Sequence, residues 1–280
     1  MIDLEKIGKF SDIPEVSEDW KKVIERIRER ERVLVLGETD SGKTSFCIAV
    51  EKLKKNVATV DLDPGQQRFF IPGCVSLKLK GKIFKFFIGS TTPRFSEWMI
   101  LLAISTFLQK LKGHKGPIIF DMPGYIKEDR ALMLILAKIK LIKPHKIIIF
   151  KSPETERIKN FSAKFSEIIE INPNEKTRKI SPEERARIRE EKIKLYFSQY
   201  KKISVPKTKI INLSYYNENF QDFLGFFRNW LTEFIGVVLQ EDQDNLLVAV
   251  PQNFKDKKWD FILKSPMKIK IDFDGQERRN

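Results

Sequence analysis

The segment Gly37-Glu38-Thr39-Asp40-Ser41-Gly42-Lys43-Thr44-Ser45 constrains this chain more than any other. An apolar run, Val33-Leu34-Val35-Leu36, precedes it and a helix-competent stretch, residues 46–54, follows. A strand, Gly-x-x-x-x-Gly-Lys-Thr and a helix form the setting in which a backbone loop wraps a polyphosphate. The glycines let the chain curl, and successive N–H groups and the helix N-terminus then face the anion. Lys43 is placed to reach the terminal phosphates and the Thr44 hydroxyl to ligate Mg²⁺. The whole stretch, residues 37–45, is expected to cradle a nucleoside triphosphate.

Charge adds a second constraint. Lys and Arg number 52 against 38 Asp and Glu, a formal net charge of +14. Such an excess favours a polyanionic partner, nucleic acid first among them, although a heat-adapted proteome carries a similar bias. Cys47 and Cys74 stand alone in apolar surroundings, and the two histidines, His114 and His145, lie in different segments. Neither a disulfide framework, a zinc site nor a Ser-His-Asp triad is indicated. The longest apolar stretch, residues 98–108, contains Ser105 and Thr106 and is far shorter than the roughly 20 residues that span a bilayer. No signal-peptide core is visible at the N-terminus. A cytoplasmic protein with no membrane contact is expected.

Short β-rich runs alternate with helical patterns through the first half. Strands are expected at residues 33–36, 57–63, 83–88, 117–121 and 146–150, with helices at 17–30, 46–54, 96–111 and 130–142. This alternation predicts an α/β fold, a P-loop NTPase-type parallel sheet sandwiched by helices. Strand ends at Gly37, Asp61, Gly89 and Asp121 should converge on one cleft. Residues 154–171 and 220–234 read as helices and 209–213 as a strand completing the main domain. Ser181-Pro182-Glu183-Glu184 opens a densely charged helix over residues 181–202, read either as a solvated face or as a mobile cationic lid. The division expected is an N-terminal helical segment (1–31), a P-loop kinase domain (32–235) and a small β-rich C-terminal appendage (236–280).

Asp121-Met122-Pro123-Gly124 fits the Asp-x-x-Gly of a GTP switch, yet no Asn-Lys-x-Asp guanine-reading tetrad occurs anywhere. Asp61-Leu62-Asp63-Pro64-Gly65-Gln66 is more informative. Its two carboxylates share a strand face, and the Pro64-Gly65 turn leaves Asp63 free to enter the cleft. A carboxylate beside bound Mg·ATP can take the proton of an attacking hydroxyl. A strand-terminating Asp turn with no chemistry explains the same residues.

Residues 60–77, from Val60-Asp61-Leu62-Asp63-Pro64-Gly65-Gln66 to Cys74-Val75-Ser76-Leu77, resemble the signature of the polynucleotide 5′-hydroxyl kinases. That family includes the kinase subunit of the eukaryotic pre-mRNA cleavage complex, the ribosomal-RNA-processing kinases and short archaeal members. Other matches follow in the family's order. The phosphate loop is similar to Gly-x-Thr-Asp-x-Gly-Lys-Ser/Thr, and Gly89-Ser90-Thr91-Thr92-Pro93 to its Gly-Ser-Thr-Thr/Ser-Pro element. Residues 119–126 resemble its Asp/Asn-Thr-x-Gly-Trp/Phe segment, and Arg185 and Arg189 its Arg-x-x-x-Arg lid. The likeness runs from about Ile13 to Leu213. It departs at Tyr125, where a larger aromatic is usual, and at Met122-Pro123, which replaces a Thr-containing pair.

The resemblance implies roles for these residues. Lys43 and Thr44 would hold the triphosphate, and Thr44, Asp61 and Asp121 the Mg²⁺. Asp63 would serve as general base toward a 5′-hydroxyl. Gln66, Thr92 and Pro93 would position the terminal nucleotide, Tyr125 would stack on its base, and Arg185 and Arg189 would close over the transferring phosphoryl group. The implied activity is transfer from ATP, with GTP as an alternative donor, to the 5′ end of RNA, with single-stranded DNA as a second acceptor. Two rivals remain: a non-catalytic nucleotide-dependent scaffold of an RNA-processing complex, and a small-metabolite (nucleoside) kinase. The sequence does not name a protein partner.

Overall fold

The computed structural model describes residues 16–173, 179–213, 221–267, 269 and 271. Residues 1–15 of the expected N-terminal segment and residues 272–280 of the expected appendage lie outside it. Its main sheet has seven strands: β1 (Arg32–Leu36), β2 (Ala58–Asp61), β3 (Cys74–Leu79), β4 (Lys82–Phe87), β5 (Ile118–Asp121), β6 (Lys146–Phe150) and β7 (Glu167–Ile171), in the order β4-β3-β2-β5-β1-β6-β7. Five neighbours, β2-β5-β1-β6-β7, run parallel. Their central strands are apolar apart from a terminal residue each, Arg32, Asp121 and Lys146, because helices cover both faces. The expected parallel α/β sheet between helices is therefore found, with β3 as an antiparallel insertion between β2 and β4.

The main helices are α1 (Glu18–Glu25), α2 (Lys43–Leu53), α3 (Glu97–Lys110), α4 (Asp129–Ile142), α5 (Pro153–Ser162) and α6 (Pro182–Tyr196). The Ser17 hydroxyl caps α1 by accepting from the Trp20 amide at 3.3 Å. Trp20 then packs edge-on against Phe46 of α2 and Phe150 of β6. The N-terminal helix is thereby welded to the nucleotide-loop helix. Among the described residues no helix is long and apolar enough to cross a membrane.

A second sheet holds six strands: β8 (Tyr200–Pro206), β9 (Ile210–Asn212), β10 (Gln221–Arg228), β11 (Leu231–Glu241), β12 (Asn245–Pro251) and β13 (Phe261–Met267), in the order β8-β12-β11-β10-β13-β9. It shares a core with the first sheet. Phe86 meets Phe227 edge-on at 5.1 Å, and the Phe87 amide donates to the Thr232 hydroxyl at 2.8 Å.

Several expectations are corrected here. The helix expected over residues 220–234 is the β10–β11 hairpin, turning at Asn229 and Trp230, both in left-handed backbone. Phe223, Phe226, Phe227, Trp230 and Phe234 recur at helical spacing, but β10 is buried on both faces. Phe223 and Phe227 enter the shared core, while Leu224 and Phe226 enter a separate one. Burial on both faces erases the two-residue alternation that marks a strand. The boundary expected at 235/236 falls inside β11, so the β-rich region begins at Tyr200. The strand at 210–212 pairs with β13, in this second sheet. Residues 154–171 divide into α5 and the edge strand β7, whose Glu-Ile-Ile-Glu-Ile pattern suits either period. The lid helix ends at Tyr196 rather than 202.

Candidate active site

The C-terminal ends of β1, β2, β4 and β5 open on one cleft, as expected of a parallel sheet. Register puts Asp121 directly beside Val35 on one side and Asp61 on the other. Asp121 thus lies next to the strand that launches the phosphate loop. The Thr44 hydroxyl donates to Asp121 Oδ2 at 2.8 Å, and the buried Oδ1 has no hydrogen-bond partner. Burial pushes the Asp121 carboxyl up to about 6, against the pull of Lys43 and the Thr44 hydroxyl. Lys43 is itself buried, its ammonium donating to the Glu38 carbonyl at 2.5 Å. Burial holds Lys43 below its ordinary range, an effect partly offset by Asp121 and then Asp63.

Two loops make close approaches through glycines that admit no side chain, one to the phosphate loop and one to the loop after β4. A Cβ on Gly124 would lie 2.2 Å from Thr39 Oγ1 and 2.5 Å from the Thr39 amide nitrogen. A Cβ on Gly65 would lie 2.5 Å from the Thr91 carbonyl oxygen. Gly65 brings the Asp63 loop against the loop that carries Thr92, and Gly124 brings the Tyr125 loop against Thr39. Gly124→Ala is expected to force Thr39 aside and weaken nucleotide binding roughly five- to hundredfold, equivalent to a cost of about 1–3 kcal/mol for overpacking of this kind. Calorimetric titration of the variant with ATP checks this, and unchanged affinity would show that the contact is dispensable.

Asp61 is buried and bonded at both oxygens. Oδ1 accepts from the Asp63 amide at 3.0 Å and Oδ2 from the Arg68 amide at 2.6 Å. Burial, reinforced by Asp121 and Asp63, holds its carboxyl well above the usual range. Its evident work is to shape the 61–68 loop. Arg68 fixes the other end of that loop through a paired contact to Glu51 of α2, both bonds at 2.7 Å.

Asp63 is half-buried, with Oδ1 accepting from the Gly65 and Gln66 amides at 2.9 Å. Its charge acts on Lys43, on Lys138 of α4 and on Arg189 of α6. Asp63 is thus near enough to Lys43, Lys138 and Arg189 for its charge to act on each, and it is not sealed in the interior. Gln66 and Tyr125 are half-buried and Thr92 is exposed at the rim, with Pro93 buried beneath it. The Tyr125 hydroxyl donates to Glu128 at 3.0 Å.

The lid helix is fastened at both ends. Arg185 pairs with Asp40 of the phosphate loop at 2.5 Å, and the Ile180 amide donates to the same oxygen at 3.2 Å. At the other end buried Lys192 donates to the Gln67 carbonyl at 2.5 Å, and Tyr196 packs edge-on against Phe70. Arg189, half-buried, feels both Asp63 and Arg185. Arg185 thus sits on the phosphate loop, and Arg189 lies where the Asp63 charge acts on it.

Sequence reasoning missed three contributors: Arg68, Lys192 and Lys138. Lys138 occupies the apolar face of α4 with Ala131, Leu134, Ile135 and Ile142, where a lysine is itself the signal. Burial drives its ammonium down to about 7, opposed only in part by Asp63. Between about 7 and the ordinary lysine value near 10.4, the unfolded chain binds a proton that the folded one does not. Stability from this group therefore climbs as pH rises across that interval. Lys138→Met is expected to raise the melting temperature most at pH 6, by a cost on the order of 4 kcal/mol removed, and progressively less toward pH 10. Melting curves across that range decide it; a gain independent of pH would mean that no buried charge is relieved.

The parallel sheet, the phosphate loop and the buried Asp121 beside it define a phosphate-loop nucleotide-binding protein of the α/β class. Residues 37–199 match the family described as the mRNA cleavage and polyadenylation factor CLP1 P-loop. The chain belongs to that family. It is 27% identical over 229 residues to the polyribonucleotide 5′-hydroxyl-kinase of Pyrococcus furiosus, covering 75% of this chain and 63% of that protein. It is 30% identical over 214 residues to the polyribonucleotide 5′-hydroxyl-kinase of Methanocaldococcus jannaschii, covering 70% of this chain and 59% of that protein. The chain thus spans a little under two thirds of the length of these curated relatives. In structure it resembles Clp1p from a Clp1p–Pcf11p complex, with a TM-score of 0.68 at 15% identity, covering 89% of this chain and 77% of that one. That likeness carries the fold alone.

Proposed function

We propose that the protein is an ATP- and Mg²⁺-dependent kinase that phosphorylates the 5′-hydroxyl end of RNA, with single-stranded DNA as a second acceptor. The observation that carries the reading is the Thr44–Asp121 hydrogen bond of 2.8 Å at the phosphate loop, and the Asp63 charge acting on buried Lys43 supports it. The kinase names of the relatives support it.

In this reading the phosphate-loop amides and Lys43 hold the triphosphate. The metal set fits at two of its three residues. Asp121 offers a buried oxygen without a partner, and Thr44 already bonds to its other oxygen. These two would hold Mg²⁺, which when bound neutralises phosphate charge. Asp61, with both oxygens taken by backbone amides, supports the site through the loop that it shapes. Asp63 takes the proton from the attacking 5′-hydroxyl while its Oδ1 keeps the 63–66 turn in place. Gln66, Thr92, Pro93 and Tyr125 seat the terminal nucleotide. Arg189 and Arg185 close on the phosphoryl group, Arg185 exchanging Asp40 for phosphate oxygens.

The test offers labelled ATP and Mg²⁺ together with a 5′-hydroxyl RNA, a 5′-hydroxyl DNA and a free nucleoside. Label on the oligonucleotides supports the proposal. Label on the nucleoside alone identifies a metabolite kinase, and ATP binding with no transfer identifies a scaffold.

A further inference from the structure

The loop that carries Thr92 and Pro93 continues outward past the acceptor pocket. Phe95 is 51% exposed and has a φ of +64°, a left-handed backbone that a bulky side chain rarely adopts. Trp98, in the first turn of α3, is 52% exposed. The Arg130 guanidinium lies 4.8 Å from the centre of the Phe95 ring, and that of Arg94 lies 6.0 Å from the centre of the Tyr125 ring. Rings and guanidinium planes therefore alternate along the seam between the 89–96 loop and the start of α4. Two large apolar rings held toward solvent, one on a strained backbone, mark a surface kept for contact.

We propose that Phe95 and Trp98, with Arg94 and Arg130, form a stacking platform for the second and third nucleotides of an unpaired polynucleotide whose first nucleotide occupies the Tyr125 pocket. The inference rests on the functional reading above and extends its substrate from a terminal nucleotide to a strand. Three observations select this occupant. The platform is continuous with Thr92 and Pro93, so a chain leaving the pocket meets it next. Its aromatic faces suit any base without reading sequence. Arg94 and Arg130 are already paired with Glu128 and Glu97, so the patch offers planes for stacking rather than uncompensated charge. A platform of this kind contributes affinity that persists as salt rises, unlike contacts made to phosphates alone.

The experiment compares the wild type with Phe95→Leu, Trp98→Leu and the double variant, which keep apolar bulk at surface positions. Acceptors are a nucleoside 3′-monophosphate, which offers a 5′-hydroxyl but no second base, and a 5′-hydroxyl RNA decamer, at low and high salt. In the double variant the KM for the decamer is expected to rise roughly tenfold at both salt levels, as the loss of base stacking predicts. Its kcat, and the KM for the nucleoside 3′-monophosphate, should stay within twofold, and Trp98→Phe should retain the wild-type KM for the decamer. Equal effects on both acceptors, or none on either, would overturn the platform, the second outcome leaving the surface to a protein partner. Should the wild type phosphorylate no acceptor, the kinase reading fails by itself. The platform is then decided by binding of a fluorescent decamer without ATP, where equal affinity of the wild type and double variant rejects it.

Discussion

Asp63→Asn is expected to lower phosphoryl transfer by about 10²- to 10⁴-fold while leaving ATP affinity within twofold. The geometry makes this substitution unusually clean. Asp63 Oδ1 accepts from the Gly65 and Gln66 amides, a task that an asparagine carbonyl oxygen can continue. The turn survives, and what disappears is the charge and the capacity to take a proton. Single-turnover transfer to a 5′-hydroxyl RNA measures the loss, and calorimetric titration with ATP reports nucleotide binding. Transfer within threefold of wild type would remove Asp63 from the chemistry and return it to the simple turn that the sequence also permitted.

Lys43→Ala is expected to cost on the order of a thousandfold in kcat/KM for ATP, the scale of losing one preorganised charge at a transferring phosphoryl group. Its ammonium is buried beside Asp121 and within reach of Asp63, so no water-filled route compensates for its absence. Removal also leaves the Asp121 and Asp63 charges without their nearest cation from the loop. The variant should therefore lose nucleotide affinity as well as rate, which separates it from Asp63→Asn. Equal loss of affinity in both variants would show that the acceptor loop had collapsed in each, and a folded spectrum with wild-type ATP binding in Lys43→Ala would refute the clamp. Methionine at this position serves as control, since it keeps the buried stem and removes only the charge.

What the sequence disclosed follows from how local each feature is. The phosphate loop was legible because its turn, its lysine and its flanking strand and helix are contiguous. Asp121 was legible as a strand-end carboxylate, and its register beside Val35 placed it where a strand order that brings β5 next to β1 requires. Asp63 was ambiguous between a turn and a base, and only the electrostatic company of Lys43, Lys138 and Arg189 puts it in the pocket. The division of labour between Asp61 and Asp63 was hidden, because one of the Asp61 partners is the amide of Arg68, reached only when the loop folds back. Strand β7 and the β10–β11 hairpin were hidden for different reasons. The first is a short edge strand with a period that fits a helix, and the second buries both faces. The anchored half of α6 was hidden because charge dominates its composition, whereas the Lys192 ammonium and the Tyr196 hydroxyl find their partners inside the protein.

The second sheet also braces the loop that follows β4. The Ser265 hydroxyl of β13 donates to the Gly89 carbonyl at 2.8 Å, at the root of the loop that leads to Thr92. Phe87, the last residue of β4, lies so close to Gly225 that a methyl group there would meet its ring at 2.6 Å. In the proposed function, the rear wall of the acceptor seat would then be built by the C-terminal third of the chain, on a foundation separate from the phosphate loop. Divergence in that wall can retune which strand ends are welcomed while the machinery that handles the triphosphate passes unchanged from one descendant to the next.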